Sequence, residues 1–121
     1  MSGVRNQLSN LTDSSFAIAG PYGSGLRSWE YYWSSNRVKA IRGLLLVLAS
    51  EIGATGGHTP AETRAQAAWY LHYLCGVNAM NMVYASNMSS VGGEHSVWRI
   101  YHGWFPYGHA DYYGKPSGVV E

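Results

Sequence analysis

The chain has 121 residues, a formal net charge of +1 and 12% charged side chains, about half the charged share of an ordinary soluble protein. Its length suits a single domain spanning 1–121 with one modest core. Near-neutral charge supplies no field to gather a long nucleic acid, and the longest apolar run, Leu44 to Ala49, falls far short of the ~20 residues of a membrane span.

Residues 1–19 fit a short helix that turns into a strand, with Leu8, Leu11, Phe16 and Ile18 as its apolar positions. No stretch there is apolar enough for a signal peptide, and the single Cys75 cannot form an internal disulfide, so a cytoplasmic location is expected. The run Gly20-Pro21-Tyr22-Gly23-Ser24-Gly25 is a loop by composition. Its glycines match neither a phosphate loop nor a dinucleotide fingerprint, and no cofactor is expected. Trp29, Tyr31, Tyr32 and Trp33 follow within six residues. Ser34, Ser35 and Asn36 are good N-caps. From Arg37 onward, Val38, Ile41, Leu45, Leu48 and Ile52 follow the three-four spacing of an amphipathic helix, and Gly53 is a natural C-cap. Leu44, Leu46 and Val47 widen the stripe, so this helix is expected to be mostly buried.

A loop to His58 leads to Thr59-Pro60-Ala61-Glu62, a capping box with proline at the first helical position. No proline recurs until Pro106, so the spacing predicts one helix to Ser86, about 27 residues and roughly 40 Å long at 1.5 Å per residue. Its sides all carry apolar residues. Ala68, Leu71, Cys75 and Met82 line one, and Trp69, Tyr73, Met80 and Val83 another. In so short a chain that pattern points to burial against a second copy, and Cys75 reads as a small core residue. After Ser86 come a loop, a strand or helical turn at His95 to Ile100, and a tail broken by Gly103, Pro106, Gly108 and Gly114. Trp98, Tyr101, Trp104, Phe105, Tyr107, Tyr112 and Tyr113 argue that this tail wraps over other elements. The expected fold is mainly α: a long antiparallel helical hairpin, a short N-terminal element and an irregular aromatic-rich C-terminal segment.

Three groups of residues carry candidate chemistry. Arg37, Lys39 and Arg42 crowd a helix N-terminus, where the dipole disfavours cations unless an anion docks there. The rings of Trp29, Tyr31, Tyr32 and Trp33 lie just upstream, and cations beside flat rings suit phosphates and bases. Asn78 and Asn81 lie three apart on a greasy helix. They suit register-setting between copies or reading of a base edge by Asn78. His95, His102 and His109, with Glu94 and Asp111, contain the residue types for zinc or acid–base work. They match no recognised ligand pattern, and no metal or catalytic residue is expected.

The segment from Val38-Lys39-Ala40-Ile41-Arg42 through Ile52, then Pro60-Ala61-Glu62, then Val77-Asn78-Ala79, resembles the small phage sponge proteins that sequester cyclic oligonucleotide signals of CBASS immunity. The resemblance implies a non-enzymatic, oligomeric nucleotide binder of phage origin, acting in the host cytoplasm. The expected partners are a nucleotide-derived small molecule and further copies of the chain. Two alternatives stay open: a nucleotide-cleaving hydrolase or lyase using the C-terminal histidines, and a virion structural or assembly protein.

Overall fold

The computed structural model describes residues 2–32, 34–86, 88–96, 99–100 and 119–120. The fold is mainly α. The chain packs as two compact units, Met1–Tyr73 and Leu74–Glu121, each taken by itself below. In the first unit, α1 spans Ser2–Ala17, α2 Ser35–Ile52 and α3 Pro60–Leu74, with a 3-10 turn at Ser28–Glu30 between α1 and α2.

The N-terminal element is longer than expected and contains no strand. Its hydroxyl residues do not break the helix, because Thr12 Oγ1 donates to the Leu8 carbonyl and Ser15 Oγ to that of Leu11. Bonded back onto the helix, Thr12 and Ser15 are fully buried at little polar cost. α1 docks through Leu8 and Leu11 against Leu45, Ala49, Ile52 and Ala54. The Phe16 ring stacks on His58 at 3.6 Å, and Asp13 Oδ1 accepts the Gly57 N–H at 2.9 Å.

α2 and α3 pack in opposite chain directions. Arg64 reaches Glu51 at 2.9 Å, Leu46, Ala67 and Tyr70 share a buried cluster with Leu26, and Lys39 lies over Tyr73. Gly43 admits the close approach: a Cβ there would come within 3.1 Å of the Tyr70 Cβ. Both termini flanking the loop form as the sequence indicated. Gly53 adopts φ 65° and its N–H returns to the Ala49 carbonyl. Thr59 and Glu62 close the capping box, each backbone N–H bonded to the other's side chain at 2.8 and 3.2 Å. These bonds hold the Glu62 carboxyl below its ordinary pKa. At the start of α2, Ser34 is the cap residue in position only, since its side chain makes no capping bond.

The expected stripe on α2 is buried only in part, with Val38, Leu45 and Ile52 half-buried against the cores. Ile41, Leu44, Val47 and Leu48 are exposed, whereas Lys39, Arg42, Leu46 and Ala49 are buried. At 3.6 residues per turn those four inward positions also form a stripe. The small residues Gly43, Ala49 and Ser50 let neighbours close on that side, and the aliphatic stems of Lys39 and Arg42 cross it to polar partners.

α3 ends twelve residues before Ser86, at Leu74. Gly76 takes φ 113° and Asn81 φ 47°, conformations a right-handed helix excludes. Between them Asn78 replaces the helical bonds. Its Oδ1 accepts from the N–H groups of Met80 and Met82, and its Nδ2 donates to the Met82 carbonyl. The chain thereby reverses, and Cys75 pairs antiparallel with Val83. Cys75 is exposed, not a core residue. In this second unit β1, Arg99–Ile100, pairs in parallel with β2, Val119–Val120. Most of the aromatic tail, from Tyr101 to Tyr113, lies outside the described residues, as does Trp98.

Candidate binding surface

The segment 18–32 has little regular structure, yet side chains from both neighbouring helices hold it. Consecutive carbonyls of the glycine-rich loop each accept from a different buried or half-buried group. Gln66 Nε2 donates to Gly23 at 2.6 Å, Lys39 Nζ to Ser24, and the Tyr70 hydroxyl to Gly25 at 2.9 Å. Gly25 is required by space, because a Cβ there would fall 1.6 Å from the Ile18 carbonyl oxygen. The following turn is fixed by Glu30. Its carboxylate takes Arg42 Nη2 at 2.6 and 2.8 Å and the Arg27 N–H at 2.7 Å. Arg42 Nη1 reaches Ser15 of α1 at 3.2 Å, so one guanidinium joins α1, α2 and the turn.

Two of the cations assigned from sequence to an anion are therefore turned inward. Lys39 is 3% exposed and Arg42 5%. The Lys39 ammonium sits 3.9 Å from the Tyr73 ring centroid and 5.7 Å from that of Tyr31. Burial first, then the charge of Arg42, lowers its pKa to about 8. The expectation that Arg42 meets an external anion is not met, since its partner is Glu30. The helix-dipole penalty that motivated an external anion is met inside the protein by carbonyl oxygens and a carboxylate. Arg37 differs from both and stands exposed on the first turn of α2.

What these tethers hold outward is aromatic. Trp29 is 69% exposed, with Tyr31 and Tyr32 close behind. Tyr31 is also oriented, because its hydroxyl accepts the Leu26 N–H at 3.1 Å. Arg27 lies over the Trp29 ring at 5.4 Å, a cation beside the rings that the sequence reading passed over. Trp33 lies outside the described residues. Asn78 belongs to the second unit and is occupied by the turn it builds, far along the chain from these rings.

Sequence reasoning also missed Glu30, Ser15, Gln66 and Tyr70, the partners that fix the loop. A signal was present in the three-residue step from Lys39 to Arg42 and the four-residue step on to Leu46, which places all three on one side of α2. The second unit holds a cavity of about 350 Å³, lined among others by Cys75, Asn81, Glu94 and His95. His102, His109 and Asp111 lie outside the described residues. Among the described residues no helix is long and apolar enough to cross a membrane. Comparison with protein families, curated proteins and solved structures gave no match to this chain.

Proposed function

We propose that the chain is a non-enzymatic binding protein, and that its ligand surface is the outward face of the segment 27–32. Trp29, Tyr31 and Tyr32 offer ring faces, and Arg27 offers a cation beside them. This pairing suits a ligand that joins flat bases to phosphate, a nucleotide-derived small molecule. The observation that carries the reading is the clamped loop. Buried Lys39 and Arg42, with Gln66 and Tyr70, order an otherwise irregular segment whose outer side chains have no core to fill. A surface ordered before its ligand arrives avoids part of the entropic cost of binding. In this reading Lys39 and Arg42 position the rings rather than touch phosphate. The wider role is sequestration of a cyclic nucleotide signal in the cytoplasm of a phage-infected cell, as the resemblance implies.

A second reading has its own support. Trp, Tyr and Arg are also the residues that anchor protein–protein contacts, so the same face fits a partner protein in an assembly role. Calorimetry against mono-, di- and cyclic oligonucleotides separates the two. Micromolar binding that Arg27→Ala weakens about tenfold, and that Trp29→Ala abolishes with the fold intact, supports the nucleotide reading. Absence of binding across the panel rejects it in favour of the protein partner.

A further inference from the structure

The side of α2 that faces away from the core uses none of the residues of the binding surface. At 3.6 residues per turn, Ala40, Ile41, Leu44, Val47 and Leu48 fall within an arc of roughly 120°. All five are exposed, and Leu44 at the centre is 67% exposed. A helix normally buries such a stripe. Here the opposite side packs inward, through Lys39, Arg42, Leu46 and Ala49. The steps Ile41, Leu44, Leu48, Glu51 run three, four, three, the spacing of a helix–helix seam.

The charges at its ends identify what covers it. Arg37 lies seven residues before Leu44 and Glu51 seven after it, both on the same arc and both exposed. Two α2 helices laid antiparallel about a twofold axis at Leu44 set Arg37 of one copy beside the partner subunit's Glu51, at both ends at once. The same operation sets Ile41 beside the partner's Leu48. A parallel pairing would oppose like charges at each end. The present link from Glu51 to Arg64 is a water-exposed pair, screened and easily shared.

We infer that the outer face of α2 is a homodimer seam, antiparallel and isologous, with Leu44 on the axis. The inference stands apart from the ligand surface, and its readout is mass. Light scattering or sedimentation of the full chain at tens of micromolar gives at least twice the 13.3 kDa of one chain. Leu44→Glu lowers the mass to one chain with an unchanged far-ultraviolet spectrum, since an exposed side chain is replaced. Arg37→Glu weakens association tenfold or more, and adding Glu51→Arg restores it. A monomeric wild type overturns the inference and gives the face to another occupant. A mass that Leu44→Glu leaves unchanged overturns it too. So does an Arg37→Glu variant that associates like wild type, because a parallel seam has nothing to lose there.

Discussion

Arg42 decides most at the scale of single residues. A guanidinium that is 5% exposed and doubly bonded to Glu30 cannot be removed without leaving a largely buried carboxylate unpaired. Arg42→Ala is expected to destabilise the first unit by roughly 3–5 kcal/mol, read as a lowered urea midpoint, and a loss below 1 kcal/mol would refute the buried pairing. Lys39 makes stability depend on pH. Its pKa falls from 10.5 in the ordinary state to about 8 in the fold, so between those values the unfolded chain binds more protons. Stability therefore rises as pH goes from 8 toward 10, and this gain is absent below 8. The gain should be on the order of 1–3 kcal/mol. Above pH 10 Tyr70 opposes it, because burial holds its hydroxyl above the ordinary value and the folded state then resists ionisation. Urea unfolding at pH 7 and 9.5 measures the difference, and Lys39→Met should flatten it.

At the scale of elements, helix ends and loops divide the work. The Thr59–Glu62 box is exposed and local, and Thr59→Ala should cost about 1 kcal/mol without touching the proposed ligand surface. The glycine-rich loop behaves differently, because its shape is held by tethers from α2 and α3. Gly25→Ala would drive a methyl group into the Ile18 carbonyl. It is expected to destabilise by roughly 1–3 kcal/mol or more and to weaken any ligand held by Trp29 and Tyr31. Normal affinity in that variant would separate loop order from binding. Asn78 shows how one side chain ends a helix that composition would continue, by offering the backbone three bonds outside it.

For the whole molecule, the small cores and the exposed apolar arc belong together. The buried clusters contain few large side chains, so the first unit gains modestly from its own interior. If a second copy covers the outer face of α2, as inferred above, that burial is added only in the associated state. The thermal midpoint of the wild type should therefore rise with protein concentration, whereas that of Leu44→Glu should not. Calorimetric scans across a hundredfold concentration range test this, and a constant wild-type midpoint would contradict it.

Local chemistry was legible from the chain alone. The mainly α class, the Gly53 cap, the capping box and the loop between α2 and α3 depend on residues within a few positions of one another, and short-range backbone bonding decides them. Tertiary structure decided the rest. Which of two stripes on α2 turns inward depends on partners far along the sequence. Glu30 and the carbonyls of Gly23 to Gly25 draw Lys39 and Arg42 to the core side and leave Ile41 and Leu44 outside. The length of α3 was hidden for a related reason, since an Asn in an apolar run reads as helical until its side chain is seen bonding the backbone. Hydrophobic periodicity ranks faces by transfer energy. A buried cation with a carboxylate or carbonyl partner reverses that ranking, and only the fold brings such partners within reach.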